Sequence, residues 1–170
     1  MQIKVALGSI VALYLSSATV HAADPGAYIG ASIGQTNVSV ETDALDFDGS
    51  GTGYKLFVGY SFNPHAAIQL EYLDAGDPEM QVGNTLYTTS ATGFIAATLI
   101  RYPFAKGFDA FGKIGIAFYD SDTSTGVDIA YGLGGSYSFL ERYEVRAEYE
   151  KVVIDDGDFS MLSISGVFKF

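Results

Sequence analysis

The segment Leu162-Ser163-Ile164-Ser165-Gly166-Val167-Phe168-Lys169-Phe170 alternates without a break between two kinds of position. Successive side chains of a β-strand point to opposite faces, so a period of two divides the residues between those faces. One face collects Leu162, Ile164, Gly166, Phe168 and Phe170, and the other collects Ser163, Ser165, Val167 and Lys169. The pattern predicts a β-strand whose two faces meet different surroundings.

Seven earlier segments repeat this period, at about 26–35, 54–62, 68–72, 90–102, 108–119, 129–139 and 143–149. Strands of about 9–11 residues suffice to cross a bilayer when tilted. An even number of strands, with short connections alternating with long ones, is typical of bacterial membrane barrels. The sequence therefore predicts an all-β fold, an eight-stranded antiparallel up-and-down transmembrane β-barrel.

The connections between these segments predict how the barrel is oriented. Short ones at 63–65, 103–107 and 140–142 should be periplasmic, because periplasmic turns of such barrels are short. Long ones near 36–53, 74–89, 120–127 and 154–159 should be extracellular. The segment at 90–102 alternates least cleanly, since its parity sends Ile95 and Leu99 inward together with Arg101.

The N-terminus has the layout of a secretory signal peptide. Lys4 is the only charge before Asp24, an apolar run covers 5–15, and Val20-His21-Ala22 offers a small-residue cleavage site. A membrane anchor is disfavoured, because a spanning helix needs about 20 apolar residues. We expect residues 1–22 to be a cleaved signal peptide and residues 23–170 to form one outer-membrane β-barrel domain.

Composition supports a membrane barrel. Cleavage would remove Lys4 and take the formal net charge from −11 to −12, which disfavours binding to nucleic acid phosphates. The mean hydropathy is nevertheless positive, at +0.21. A barrel in lipid reconciles these values, since its outer wall is apolar and its charges lie in loops and lumen. The chain has no cysteine and therefore no disulfide.

Aromatic residues at the strand ends predict two membrane-interface girdles. The periplasmic girdle would comprise Tyr60, Phe62, Tyr102, Phe108, Tyr137, Phe139, Tyr143, Phe168 and Phe170, and the other Tyr54, Tyr72, Phe94, Phe118, Tyr131 and Tyr149. A soluble sandwich or lipocalin-like barrel would hide its apolar parity inside and would not need these girdles. Tyr28, Phe57 and Phe111 break the parity and should point inward.

Short glycine-rich and aromatic motifs add a family resemblance. They are Tyr28-Ile29-Gly30-Ala31-Ser32-Ile33-Gly34, Phe111-Gly112-Lys113-Ile114-Gly115, Tyr131-Gly132-Leu133-Gly134-Gly135, Arg146-Ala147-Glu148-Tyr149-Glu150 and Val167-Phe168-Lys169-Phe170. Together they resemble the small eight-stranded outer-membrane proteins of the OmpA/OmpX type, closest to the stand-alone outer membrane protein beta-barrel domain group.

This resemblance implies a Gram-negative outer membrane, contact with its lipid and lipopolysaccharide, and a monomeric barrel. It also implies that Phe170 is the assembly signal for the barrel-assembly machinery. OmpA-type proteins carry a peptidoglycan-binding domain in addition, which this sequence does not show, so cell-wall anchoring is not implied.

Inward-facing charges are the first candidate site. Glu71, Lys113, Arg146, Glu148 and Glu150 should share a narrow lumen, with Lys55 and Arg101 as further candidates. Buried charges persist when they are paired, so we expect a salt-bridge network. The network could fill the barrel and hold its strand register. Alternatively, as is proposed for the family it resembles, partner exchange could open a narrow water path.

Twelve of the twenty acidic residues fall in the predicted extracellular loops: Glu41, Asp43, Asp46, Asp48, Asp74, Asp77, Glu79, Asp120, Asp122, Asp155, Asp156 and Asp158. The stretch from Asp46 to Gly51 imitates half of a calcium loop. Its twelfth position is Phe57 instead of a bidentate glutamate, so the calcium motif fails. We therefore expect a solvated acidic rim, without a dedicated metal site or cofactor, and the alternative is loose binding of divalent cations beside lipopolysaccharide.

Three functions remain open. The leading one is a structural and surface-interaction protein, acting in envelope integrity, adhesion or host contact through an extracellular ligand of the acidic loops. The second is a small gated pore for ions or small solutes. The third is a lipid A-modifying enzyme, which the sequence disfavours because His65 is the only histidine of the mature chain and lies in a predicted periplasmic turn. We therefore expect no catalytic residues.

Overall fold

The computed structural model describes residues 25–42, 45–76, 79–82, 85–88, 91–121, 125–154 and 157–170. These residues form ten β-strands: β1 Gly26–Thr42, β2 Leu45–Asn63, β3 Ala66–Asp74, β4 Glu79–Val82, β5 Thr85–Thr88, β6 Ala91–Ala105, β7 Phe108–Ser121, β8 Thr125–Phe139, β9 Tyr143–Ile154 and β10 Gly157–Lys169. Within these ranges no helix is long and apolar enough to cross a membrane. The predicted signal peptide, residues 1–22, lies outside the described residues.

Eight of the strands close into a ring. Their order is β1-β10-β9-β8-β7-β6-β3-β2, and β1 pairs with β2 to complete the circle. Every pairing in the ring is antiparallel. Closure leaves no strand edge without a partner, as a sheet in lipid requires. The predicted eight-stranded antiparallel barrel is therefore confirmed.

The predicted alternation of side chains is also confirmed, even in β6, which corresponds to the least clearly alternating segment at 90–102. Outward Leu133 and Ile164 are 66% and 63% exposed, whereas inward Ile95 and Leu99 are 1% and 0% exposed. An apolar outer wall is the arrangement that lipid requires, because hydrocarbon chains offer no hydrogen-bond partners.

The four predicted long connections are shorter in the structure, because the strands continue into them. β1 continues to Thr42 and β2 begins at Leu45, and the pairing extends to the register Thr42↔Leu45, so most of 36–53 is strand. Region 74–89 contains the hairpin β4–β5, β8 begins at Thr125 and β10 begins at Gly157. Beyond the lipid neither face must be apolar, so alternation fades although backbone pairing still satisfies the polar groups.

The connection predicted at 103–107 is also shorter than expected. β6 runs through Pro103 to Ala105 with a register shift there, and the turn occupies only Lys106 and Gly107. Gly107 has a φ of 81°, a left-handed conformation that glycine adopts without steric cost. The turn at 140–142 lies where it was predicted.

The three inward rings that break the parity are explained by their cross-strand partners. Phe57 lies opposite Gly30, Tyr28 opposite Gly59, and Phe111 opposite Gly134. A Cβ at any of these glycines would collide with the ring it faces. Each ring therefore covers a glycine and fills the space that the missing side chain leaves.

Apolar side chains fill the lumen at two levels. The level nearer the predicted extracellular end comprises Val38, Leu73, Ala75, Ile95, Ala97, Ala117, Ala130, Val152, Phe159 and Met161, and the level nearer the predicted periplasmic end comprises Tyr28, Phe57, Ala67, Leu99, Phe111 and Val167. The buried charges lie between and beside these levels, which makes the interior a packed core.

Candidate functional site: two charge clusters in the lumen

The five predicted lumen charges all lie inside the barrel. Their exposed fractions are 0% for Glu71, 4% for Lys113, 1% for Arg146, 4% for Glu148 and 0% for Glu150. They do not form a single salt-bridge network, because the structure separates the interior charges into two clusters at different depths.

The central cluster consists of Lys55, Glu71, Lys113, Glu148 and Glu150. Lys113 Nζ lies 2.7 Å from Glu71 Oε1 and 2.6 Å from Glu148 Oε1, and it also contacts Glu150 Oε2. Lys55 Nζ lies 2.7 Å from Glu148 Oε1 and 3.6 Å from both Glu71 Oε2 and Glu150 Oε2. Both ammonium groups are thus surrounded by carboxylates, with three acids to two bases.

Strand register produces this arrangement. Glu148 and Glu150 are two residues apart on β9 and so share its inner face, while Lys55, Glu71 and Lys113 come from β2, β3 and β7. Glycine opposite a charge leaves room for it, as Gly132 does opposite both Lys113 and Glu150. The cluster therefore joins four strands across the lumen.

The three central carboxylates have the spacing of a metal site. One oxygen each from Glu71, Glu148 and Glu150 lies within 4.8 Å of the others. Oxygen ligands of this kind suit Mg²⁺ or Ca²⁺. Lys113 Nζ contacts all three carboxylates, however, and so occupies the position of a cation. The donor set is already neutralised by lysine and does not fit a metal.

The periplasmic cluster consists of Arg101, Glu144, Arg146 and Lys169. Arg101 Nη1 lies 3.2 Å and Lys169 Nζ 2.5 Å from Glu144 Oε2, while Arg146 Nε donates to Glu144 Oε1. One carboxylate thus serves three bases. Its excess charge is positive, opposite in sign to that of the central cluster.

Aromatic rings surround the arginines of the periplasmic cluster. The guanidinium carbon of Arg146 lies 5.0 Å from the centroid of Tyr28, 5.4 Å from that of Phe57 and 5.7 Å from that of Phe111. Arg101 lies 5.7 Å from the same Tyr28 ring. Ring faces attract cations, most strongly where water is excluded. The inward aromatics therefore both fill space and stabilise buried guanidinium charge.

Gln69 connects the two clusters. Its Oε1 accepts hydrogen bonds from Tyr28 OH at 2.8 Å and Arg146 Nη1 at 2.9 Å, and its Nε2 donates to Glu71 Oε1 at 3.0 Å. The amide presents its acceptor to the cationic cluster and its donor to the anionic one, which fixes its orientation.

Sequence reasoning missed two members of the site. The predicted network does not include Glu144, although it alternates in phase with Arg146, and it does not include Lys169. Both alternate in phase with the inward residues of their strands, so the alternation pattern alone could have predicted that they face the lumen. Lys55 and Arg101, the further candidates, belong to the central and the periplasmic cluster respectively.

Phe170 lies at the periplasmic end, where its backbone N–H donates to Ala27 O at 3.0 Å. Its ring belongs to an unbroken series of contacts with centroid separations between 4.5 and 6.3 Å. The series runs through Phe104, Phe108, Tyr137, Phe139, Tyr143, Phe168 and Phe170. The predicted girdle does not include Phe104, because this residue falls in the turn predicted at 103–107.

The remaining candidates lie outside the lumen. His65 is exposed in the β2–β3 turn, where its Nδ1 lies 3.3 Å from Arg101 O. Among the loop acids, Asp158 pairs with Lys151 at 2.7 Å and Asp74 accepts a hydrogen bond from Gly76 N at 2.9 Å. The other ten have side chains outside the described residues: Glu41, Asp43, Asp46, Asp48, Asp77, Glu79, Asp120, Asp122, Asp155 and Asp156.

A closed eight-stranded barrel with an apolar wall, an aromatic girdle and a polar interior is an integral outer-membrane β-barrel. The chain belongs to the outer membrane protein beta-barrel domain family, whose sequence profile matches residues 7–170. A search of curated protein sequences finds no significant match.

Solved structures with the same fold come from several bacteria. The chain is 17% identical to the attachment invasion locus protein Ail of Yersinia pestis, with a TM-score of 0.54, covering 85% of this chain and 99% of Ail. Neisserial surface protein A, NspA, gives 17% identity and a TM-score of 0.57 over 85% and 97% of the two chains. For OprG of Pseudomonas aeruginosa, the identity is 14% and the TM-score 0.53, over 88% and 99%. At these identities the likeness establishes the fold.

Proposed function

We propose that this outer-membrane barrel is a structural and surface-interaction protein that presents acidic segments to a positively charged partner outside the cell. The observation that carries this proposal is the length of β1 and β2, which have 17 and 19 residues. About 9–11 residues suffice to cross the bilayer. The remaining paired residues extend roughly 20 Å beyond the membrane, at about 3.3 Å per residue.

The charge of the projecting segments determines what they bind. Glu41, Asp43, Asp46 and Asp48 lie in this hairpin, and no basic residue occurs between Gln35 and Gly53. Like charges repel and opposite charges steer association, so the hairpin favours a basic segment of a protein or peptide. Lysine-rich or arginine-rich surfaces of host or neighbouring cells have the required chemistry.

Comparison with Ail sharpens the choice of partner. Ail was crystallised with the heparin analogue sucrose octasulfate, which is a polyanion. A sulfated ligand would be repelled by the acidic hairpin of this chain. The shared fold therefore supports a role at the cell surface, whereas the charge supports a ligand of opposite sign.

A binding experiment tests the proposal. Barrel reconstituted in neutral lipid vesicles should bind a fluorescent oligolysine peptide and should not bind heparin, with affinity falling as salt screens the charges. Replacing Glu41, Asp43, Asp46 and Asp48 with their amides should abolish peptide binding. Asp109→Asn at the periplasmic end is the matched control and should bind normally. Equal binding by both variants, or preferential heparin binding, would refute the proposal.

A small gated pore is the second candidate, and the position of Lys55 favours it. Its ammonium group bonds Glu148 and has Glu71 and Glu150 within 3.6 Å, so alternative partners are available without a large movement. Single-channel currents of folded barrel in a planar bilayer should change in Glu71→Ala or Lys113→Ala if partner exchange opens a path. If folded protein conducts no current, the pore proposal is wrong and the lumen is closed by its packed side chains.

We propose in addition that residues 1–22 are removed during export and that Phe170 is read by the barrel-assembly machinery. N-terminal sequencing of protein from the outer membrane should begin at Ala23. Phe170→Ala keeps the backbone bond to Ala27, so it separates recognition from closure. It should lower outer-membrane assembly in cells and leave refolded stability in detergent nearly unchanged. Equal losses in both assays would mean that the ring acts only through packing.

A further inference from the structure

The periplasmic cluster holds more positive charge than its single acid can neutralise. Arg101 and Arg146 bond opposite oxygens of Glu144, and their guanidinium carbons lie within 5.7 Å of the same Tyr28 ring centroid. Lys169 contacts Glu144 as well. Two guanidinium groups are therefore held side by side in a region from which water is largely excluded, where uncompensated charge is costly.

Several buried hydrogen-bond donors of this region are unused. Arg101 Nε, Arg101 Nη2, Arg146 Nη2 and Ser136 Oγ have no hydrogen-bond partner among the described residues. Their residues are 6%, 1% and 5% exposed for Arg101, Arg146 and Ser136. Ser136 on β8 lies directly opposite Arg146 on β9. A buried donor without an acceptor carries a desolvation penalty, so four such donors on three neighbouring residues favour the binding of a further acceptor.

No other acid among the described residues is bonded to these four donors. Glu71, Glu148 and Glu150 are engaged by Lys55 and Lys113 in the central cluster. Asp109 lies opposite Ser136 in the β7–β8 register, yet it forms no ion pair with any described residue. The missing partner must combine negative charge with several acceptor sites.

We propose that the periplasmic cluster binds one small inorganic anion inside the barrel, held by Arg101, Arg146 and Ser136. Guanidinium groups present paired N–H donors that match an oxyanion and also bind halide. Lys169 is 24% exposed on its side chain and lies at the periplasmic end, so the anion would enter from the periplasm. The central cluster has an excess of negative charge and would repel an anion, so anion binding is confined to the periplasmic end of the lumen.

Arginine-detected NMR of folded barrel in micelles tests the site in the unaltered protein. Sodium chloride and sodium phosphate are each titrated against sodium gluconate at constant ionic strength, since gluconate is a much larger anion than either. The Nε–H signals of Arg101 and Arg146 should shift saturably, while that of exposed Arg142 should not. Shifts that are absent, or equal in Arg142, would overturn the proposal. Saturation by only one of the two anions would identify which kind the site takes.

Two substitutions at one position sharpen the test. Ser136→Ala removes one donor and should weaken binding roughly tenfold or more, which is the size of effect of one hydrogen bond to a charged acceptor. Ser136→Glu places a carboxylate beside the unused donors and should abolish anion binding while the barrel remains folded. Arg142→Gln removes one positive charge from the nearby exposed turn and should bind as wild type. Unchanged binding in Ser136→Glu would refute the assigned position.

Discussion

The central and periplasmic clusters are both built from basic side chains and glutamates, lie in the same lumen and are joined by Gln69, yet they balance charge in opposite ways. In the central cluster three carboxylates enclose two ammonium groups, and Lys113 alone touches all three. In the periplasmic cluster one carboxylate serves three bases. A count of the inward charges along the chain would not reveal this division.

The difference follows from the chemistry of lysine and arginine. An ammonium group is a compact point charge that several carboxylates can surround, whereas a guanidinium is planar and also stacks on rings. The arginines accordingly lie where Tyr28, Phe57 and Phe111 enter the lumen, and the two lysines of the central cluster lie where carboxylates converge. The nature of the cation therefore decides which environment completes each cluster.

The largest expected effect is that of Glu144→Gln. It leaves three bases without any acid, and breaking a buried ion pair in this way costs about 3–5 kcal/mol. Urea-induced unfolding in lipid vesicles, followed by heat-dependent gel mobility, measures the free energy of unfolding. A loss below that of the lipid-facing substitution described next would mean that aromatic rings alone stabilise the arginines.

Leu133→Arg places a cation in lipid, and the resulting loss of unfolding free energy is a reference for the losses caused by the lumen substitutions. Leu133 is 66% exposed on the outer wall of β8. An arginine at the bilayer midplane should lower the free energy of unfolding by about 2–4 kcal/mol in the same assay. Ser136→Arg, on the inner face of that strand, adds a base to the periplasmic cluster and should cost a different amount. Equal effects would contradict the assignment of the two faces.

Lys151→Gln measures an ion pair outside the barrel. Lys151 and Asp158 form a pair at 2.7 Å with side chains 28% and 45% exposed. Exposed pairs contribute about 0.2–1 kcal/mol, so the change in unfolding free energy should fall in that range and shrink further in high salt. A loss as large as that of Glu144→Gln would show that burial is not what distinguishes the lumen clusters.

Glu150→Gln should have a small effect and is the matched partner of Glu144→Gln. It leaves two carboxylates facing two lysines, and it keeps an amide that can still accept a hydrogen bond. We expect the free energy of unfolding to change by less than about 1 kcal/mol. If this substitution were as damaging as Glu144→Gln, the two clusters would be equivalent and their charge imbalance would carry no meaning.

Much of the fold was readable from local pattern. Alternation identified all eight spanning strands, including the inward positions of Ile95 and Leu99, because lipid imposes one apolar face on each strand. The extended β1–β2 hairpin was missed for the same reason. Above the lipid no face is required to be apolar, and only backbone pairing maintains the strand.

Sequence by itself therefore determined which residues face lipid, which face the lumen, and that acidic segments follow the strands on one side. Tertiary structure decided which inward residues meet. Glu148 and Glu150 on β9 meet Lys55 and Lys113 from other strands of the ring only because closure fixes the stagger of the strands. Parity is a property of each strand alone, whereas depth and neighbours depend on the register of all eight.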